Sequence, residues 1–455
     1  MNNKESTYWI TEAPVTKSII HMAVPMMLGM VVNIVYNLTD TFFIGKLNST
    51  GALAAMMLAL PFTTVLMAFG NLLGVGGSTY ISRLIGEKQE NVAKRVSATV
   101  FYLSLAISTI FMAVSFLAMN LILPILGAKE MEDLLYTKSY IEIFAIASPI
   151  MITNFMFEQV VRSDGSSKES MTGTILSVIV NMILDPIFIF VLGLGVRGAA
   201  IATVIGNICA VVYYMCYISL KDANLSIRLS NCILKRNVLI NIFKVGISAM
   251  LLDFFMIVYG ILFNNYAMLY GDSVVAGFGI SQKIIQIVEL VSMGIYTGII
   301  PLVAAAYSSK NRTRFFEILK KSALYLIGLI CILSAFLFVF RNSVIGIFTT
   351  DANVIELGTY TLSVQLIATF FAAGAGLFIS IFQAIGKGLP STIMSVIRGL
   401  LLIPTLALMN MWLHVHGVIL SLVVTDGIAF LIGGILIFVY LKEIYNGFSQ
   451  PALEH

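Results

Sequence analysis

Two aspartates stand in stretches apolar enough to lie in lipid, where a carboxylate costs about 3 kcal/mol by the lower estimates and is rarely accidental. Asp185 falls in the run Asn181-Met-Ile-Leu-Asp185-Pro186-Ile-Phe-Ile-Phe190. Asn181 lies one helical turn before it on the same face, and Pro186 interrupts the helix just after. Asp40 falls in Tyr36-Asn37-Leu38-Thr39-Asp40-Thr41-Phe42-Phe43-Ile44-Gly45. Neither stretch contains a basic residue. Two buried acids without a counter-charge are unstable unless a cation shares them. Low dielectric can bring carboxylate proton exchange near working pH. Deprotonated, the same groups with amide and hydroxyl oxygens suit Na⁺. The competing reading is a polar knot that locks helices together.

Further charges fall inside apolar segments. Lys283 and Glu289 are six residues apart, off the spacings that face each other on a helix. Lys283 is therefore expected to pair with Asp253 across helices, as a structural ion pair. Glu289 is left without an evident partner, which makes Asp253, Lys283 and Glu289 a candidate substrate site or second acidic site. Glu158, four residues before Arg162, reads as half of a helix-end salt bridge. Asp426 remains ambiguous. His21, His414 and His416 have no carboxylate or cysteine set around them, so no metal is expected. Cys209, Cys216, Cys232 and Cys331 lack metal or redox spacing. Cys209 and Cys216 are two turns apart, roughly 10 Å, too far for a disulfide. The 23 Met and 30 Phe suit a promiscuous site for flat cations, but most must simply pack helices or face lipid.

The elements that must position these groups are membrane helices. Hydrophobic residues make up 59% of the 455 residues, charged residues 11%, and mean hydropathy is +0.96. That composition marks a polytopic α-helical membrane protein, and the long continuous apolar runs argue against a β-barrel. Twelve spans are expected, near 18–44, 53–80, 97–123, 137–161, 170–192, 198–219, 238–268, 274–306, 320–340, 354–385, 392–413 and 416–441. With the N-terminus in the cytoplasm, lysine and arginine divide 21 inside (Arg398 among them) against 5 outside, and Lys283 falls within a span. These basic residues report topology and lend no support to nucleic-acid binding. Met1 to Thr16 lacks the apolar core of a signal peptide, so the first segment should be retained. Leu453-Glu454-His455 resembles a cloning remnant before a histidine tag.

The two halves of the chain resemble each other. Gly70-Asn-Leu-Leu-Gly74 matches Gly294-Ile-Tyr-Thr-Gly298, Arg162-Ser-Asp-Gly165 matches Gln383-Ala-Ile-Gly386, and Val196-Arg-Gly198 matches Val415-His-Gly417, at offsets of 219 to 224 residues. Six spans per half make the repeats parallel, related by an axis along the membrane normal. Such paired bundles are a transporter architecture with alternating access. The expected organisation is an N-terminal lobe at 1–220, a cytoplasmic linker at 221–237, a C-terminal lobe at 238–445 and a tail at 446–455. The counterparts of Asp40 and Asp185 in the second half, near Phe263-Asn264-Asn265 and Arg398 to Asn410, carry no acid. Asp185 therefore reads as half of a cation site, with Asp40 as the other half, confined to the N-terminal lobe.

Six plus six spans, Tyr36 to Gly45, Arg162-x-x-Gly165, Asn181-x-x-x-Asp185-Pro186, Gly198-Ala-Ala-Ile-Ala-Thr203 and Phe348-Thr-Thr-Asp351 together resemble the MATE (multidrug and toxic compound extrusion) family, in its bacterial MepA-like branch, across nearly the whole chain. The resemblance implies an all-α polytopic protein of twelve transmembrane helices in two pseudo-twofold related six-helix bundles. It implies cation-coupled efflux of lipophilic cationic compounds. It places a coupling site at Asp40, Asn181 and Asp185, with Thr203 close by and Tyr36 and Asn154 as further members. The branch can carry an amide at the position of Asp40. The acid found deep in the tenth span of other members has no counterpart between Leu357 and Ile385.

The expected function is a multidrug efflux antiporter, not an enzyme, in the plasma membrane with both termini cytoplasmic. H⁺ is favoured over Na⁺ as coupling ion. No cofactor is expected, and the partners are the bilayer and small lipophilic cationic drugs, with the monomer as working unit. Two alternatives stand beside it. A lipid-linked oligosaccharide flippase would line its cavity with arginines, and few basic residues lie inside the spans. A channel would conduct without counter-transport, which the repeat does not favour.

Overall fold

The computed structural model describes residues 3–47, 49–126, 131–220 and 224–448. The first linker residues, and the tail from 449 with its expected tag remnant, lie outside them. The first half contains α1 (Asn3–Thr11), α2 (Val15–Gly45), α3 (Thr50–Gly86), α4 (Glu90–Leu117), α5 (Met119–Leu126), α6 (Met131–Ile146), α7 (Ser148–Arg162), α8 (Ser167–Pro186) and α9 (Val196–Leu220). The second contains α10 (Arg236–Met268), α11 (Asp272–Gly298), α12 (Ile300–Ser308), α13 (Arg312–Gly346), α14 (Ala352–Ala384), α15 (Gly388–Leu400) and α16 (Leu402–Gly447).

Ten helical stretches among the described residues are long and apolar enough to cross a membrane, and α6 with α7, bent by 62°, make an eleventh. One of the ten, Gly388–Gly447, is 60 residues long, about twice what a bilayer needs. It folds back at His414, whose φ of 51° and ψ of −130° are not helical. Pairs on either side of that point meet: Thr405 and Thr425 hydroxyls at 2.6 Å, and Arg398 Nε with Asp426 Oδ1 at 3.1 Å. The spans therefore number twelve, as the hydropathy pattern predicts. Local chemistry sets several ends. Ser49 accepts from the Ala52 amide at 3.1 Å, Asn311 from Arg314 at 3.0 Å, and Asp351 from Asn353 at 2.8 Å.

The polar, basic connections lie together at one end of the bundle. Here the halves interlock. Val15, Ile19, Met22 and Ala23, at the start of α2, pack with α12, α13 and α14 of the second half. Val238 and Ile242, at the start of α10, pack with α3, α4, α7 and α9 of the first. Each half thus sends the beginning of its first long helix into the other. The α3–α10 crossing is nearly backbone to backbone, since a Cβ on Gly246 would lie 1.8 Å from the Leu72 carbonyl oxygen. The matching α2–α11 crossing sets Gly298 against Ala23 and Gly294 against Met27. Across the same end lies α1. Arg314 holds it by donating to the carbonyls of Ala13 at 2.6 Å and Ile10 at 3.1 Å, while Trp9 stacks on His21 with ring centroids 4.4 Å apart.

The α7–α8 turn is buried beside this seal. Gly165 takes a φ of 97°, its carbonyl lies 3.3 Å from His21 Nε2, and the Ser166 and Tyr217 hydroxyls are 2.6 Å apart. Burial pushes the Asp164 carboxyl from its ordinary 3.8 up to about 7; Ser166 pulls against this and the Glu169 charge adds to it.

Two outcomes are expected. Gly246→Ala should lower the apparent melting temperature by roughly 5 °C or more, because Leu72 backbone cannot yield cheaply. Gly260→Ala, with nothing near its added Cβ, should leave it unchanged; equal melting of both variants would show that the crossing tolerates a side chain. For Asp164, the folded state keeps a proton that the unfolded chain has already lost between about pH 4 and pH 7. Stability from this group is full below the lower value and lost as pH rises through the upper, on the order of a few kcal/mol. Melting measured at about pH 5 and pH 8 should fall more steeply in the parent than in Asp164→Asn. Parallel slopes would contradict it.

Candidate functional site

Four helices of the first half bring the expected residues together. Asp40 and Tyr36 come from α2, one turn apart, and Asn181 and Asp185 from α8 at the same spacing. Thr203 comes from α9 and Asn154 from α7. Asp40 is 2% exposed and Asp185 0%. The Asn181 amide nitrogen donates twice, to Asp185 Oδ1 at 3.2 Å and to the Thr203 hydroxyl at 3.1 Å. The Tyr36 hydroxyl lies 3.1 Å from the same Thr203 oxygen. Beyond Pro186, which lacks an amide proton, α8 widens into a π-helical turn over Ile187–Val191.

Asn154 joins through a residue that the sequence reading misses. It donates to Asn207 Oδ1 at 2.6 Å, and Asn207 donates to the Thr203 carbonyl at 2.8 Å. The available signal was position, since Asn207 follows Thr203 by one turn on α9. Tyr140 of α6 is a second omission. It is buried, and near enough to Asp40 and Asp185 to feel their charges. Nothing in its sequence neighbourhood points to that role.

The cluster is rich in acceptors and poor in donors. Asp40 Oδ1, Asp185 Oδ2, Asn181 Oδ1 and Asn154 Oδ1 are buried without a hydrogen-bond donor. Buried acceptors are ordinarily satisfied, and each one left open costs about 1–3 kcal/mol. The two carboxyl groups also lie close enough to interact electrostatically. A proton on either carboxyl supplies an O–H donor to this set, and a small hard cation would find open oxygens there. The residues present fit a positive charge.

The second half departs from expectation. Asp253 accepts from Asn71 of α3 at 2.8 Å and not from Lys283. The reason is its face. Asp253 follows Gly246 by two turns and so points along the α3-facing side of α10, away from α11. Lys283 is exposed and forms no salt bridge among the described residues. Glu289 has the partners that the sequence did not reveal: it lies within electrostatic reach of Arg398 and Asp426. Arg398 does not belong with the cytoplasmic basic residues. It sits ten residues into its helix and is bonded to Asp426 at 3.1 Å, which moves it from the cytoplasmic side into the span without reversing the basic excess. Arg162 turns its guanidinium to Gln159 and the Met26 sulfur in place of a direct bridge to Glu158. The four cysteines are free thiols.

Comparison with known proteins bears on the family and the fold. The MatE family model matches residues 25–187 and 249–408. The chain is 33% identical over 436 residues to the multidrug export protein MepA of Staphylococcus aureus strain MRSA252, covering 95% of this chain and 96% of that one. It is also 33% identical over 434 residues to the protein of the same name from Staphylococcus saprophyticus, at the same coverage. Its fold superposes with a TM-score of 0.91 on the outward-facing conformation of a multidrug resistance MATE family transporter, at 24% identity, over 98% of this chain and 100% of that one. It superposes at 0.89 and 24% identity, over 97% of this chain and all of the other, on a MOP superfamily transporter from Pyrococcus furiosus Vc1 described by the reverse polarity of its binding pocket. Twelve helices in two bundles, the repeat, the N-terminal cluster and these likenesses converge: the chain belongs to the MATE family of membrane transporters.

Proposed function

We propose that the protein is a multidrug efflux antiporter that exports lipophilic cations against an inward flow of H⁺, with Na⁺ as the weaker candidate. The observation that carries this reading is the set of four buried acceptor oxygens on Asp40, Asn154, Asn181 and Asp185, which no donor among the described residues answers. H⁺ is favoured because a proton on either carboxyl adds a donor to this set while removing a buried charge, whereas Na⁺ needs a nearly complete oxygen shell. The polarity of the interior supports a cationic cargo. Asp40, Asp185, Asp253, Glu289 and Asp426 all lie in membrane helices, and Arg398 is already bonded to Asp426. That also disfavours a flippase gripping pyrophosphate, since a guanidinium engaged by a carboxylate is poorly placed to hold a phosphate.

The proposed cycle uses the two ends of the molecule in turn. The basic end, taken as cytoplasmic in the plasma membrane with both termini, is closed here. A proton reaching Asp40 or Asp185 from the opposite side discharges the carboxyl and redistributes the bonds that Asn181 and Thr203 make. Because Tyr36 and Asp40 share one face of α2, that change is transmitted to α2 and favours release of the drug. The lobes then rock, the proton leaves at the basic end, and the next drug enters there.

In proteoliposomes, an imposed pH gradient should drive drug efflux and a Na⁺ gradient alone should not. Asp40→Asn and Asp185→Asn should each reduce pH-driven efflux by about tenfold or more, the size of effect expected from losing one charged group in a coupled site. Full efflux in both variants would place the coupling site elsewhere. Thr203→Val removes the oxygen shared by Asn181 and Tyr36 and should cut efflux more than Thr203→Ser, which retains it. Equal activity of the two would show that the hydroxyl is dispensable.

A further inference from the structure

Asp253 is 5% exposed and lies outside the N-terminal cluster. It ends a chain of hydrogen bonds that all point one way. Arg162 Nη2 of α7 donates to Gln159 Oε1. Gln159 Nε2 donates to Asn71 Oδ1 of α3 at 3.4 Å, and Asn71 Nδ2 donates to Asp253 Oδ2 of α10 at 2.8 Å. A guanidinium stands at the donor end and a carboxylate at the acceptor end, so each bond polarises the next. Only the last link crosses between the halves. On its basic-end side lies the apolar seam of Val75, Val245 and Ala249, together with the Gly246–Leu72 approach.

The pseudo-equivalent crossing has no such tie. The offset of 224 that relates Gly70 to Gly294 places Ile295 opposite Asn71 and Gly29 opposite Asp253. A polar link needed only to glue this type of crossing would be needed twice. The other charges on helices packed against α10 do not answer Asp253. Arg83 lies at the end of α3, Lys283 and Glu289 lie on α11, and Arg398 and Asp426 are bonded to each other on α15 and α16; Lys244 is nine residues away on α10 itself. Glu158 acts on Arg162 at the far end of the chain of bonds.

We infer that Asp253 is the lobe-coupling carboxylate of this transporter. While charged, it terminates the relay from Arg162 and holds the basic end shut; once a proton neutralises it, the tie across the lobes weakens and that end opens. The inference rests on the alternating-access reading above and deepens it. A proton taken from the side opposite the basic end would then precede opening toward the basic end, which is the order an exporter driven by inward H⁺ requires. Asp253 is assigned as a positioning residue, because it acts through Asn71 and the lobe interface and not by touching the drug.

The test reads the gate directly. In a background with the four native cysteines changed to serine, Ala249→Cys places a thiol in the buried seam, and Leu229→Cys, at a site 68% exposed, serves as reference for the pH dependence of the reagent. Alkylation of the purified protein by a membrane-impermeant maleimide, relative to that reference, should rise as pH falls from about 8 to about 5. Asp253→Asn should raise the rate at the higher pH by about tenfold and abolish its pH dependence. Asn71→Leu, which leaves the acid and removes its donor, should raise it equally, and the double variant no further. Parental labelling in Asp253→Asn, a retained pH dependence, or additive effects of the two changes would overturn the assignment. No drug or ion gradient enters the measurement, so its outcome is independent of whether the cargo and coupling ion proposed above are right.

Discussion

A carboxylate among lipid-embedded helices must have its charge answered, because neither water nor salt is there to do so. The structure answers this demand in three ways. Asp426 takes a guanidinium directly, from Arg398 at 3.1 Å. Asp253 takes one at a distance, through two amides that end at Arg162. Among the described residues, Asp40 and Asp185 receive one amide proton and no cationic side chain, and open acceptors lie beside them. The first arrangement is self-contained, the second depends on how the lobes sit, and the third calls for a charge from outside the chain.

The second constraint is how closely helices approach. At the basic end, backbone meets backbone where Gly246 faces Leu72 and where Gly298 faces Ala23. These seams place the polar relay within reach of both halves, and they stack the apolar starts of α2 and α10 into partner cores. Burial of that kind is favourable but indifferent to charge. The directional link of Asn71 to Asp253 gives the same interface a dependence on protonation, which apolar packing cannot supply.

Much of this was legible in one dimension because hydropathy and repeat offsets are one-dimensional quantities. Twelve spans, including the reversal near His414 between two apolar runs, follow from segment length. Asp40 and Asp185 stand out because an acid in lipid is costly whatever surrounds it. What was not legible is partnership. Asp253 and Lys283 carry opposite signs and read as a pair in sequence, but the face of α10 that bears Asp253 looks toward α3. Arg398 falls within the expected span 392–413 yet counts with the cytoplasmic basic residues, because its partner Asp426 lies on the next span and is not visible in one dimension. Asn207 and Tyr140 are ordinary helix residues until tertiary packing turns them toward the cluster.

The exchange of helix beginnings between the halves carries a consequence for descent. A lone six-helix unit with this packing would expose both the groove meant for a partner's first helix and the apolar start of its own. Two such units satisfy each other only as an entwined pair. The duplication visible in the offsets of Gly70 to Gly294 and Gly198 to Gly417 therefore points to an ancestor that already worked as an interlocked homodimer. Fusion of its genes would have made permanent an embrace that predated it, and left the two copies free to acquire different charges.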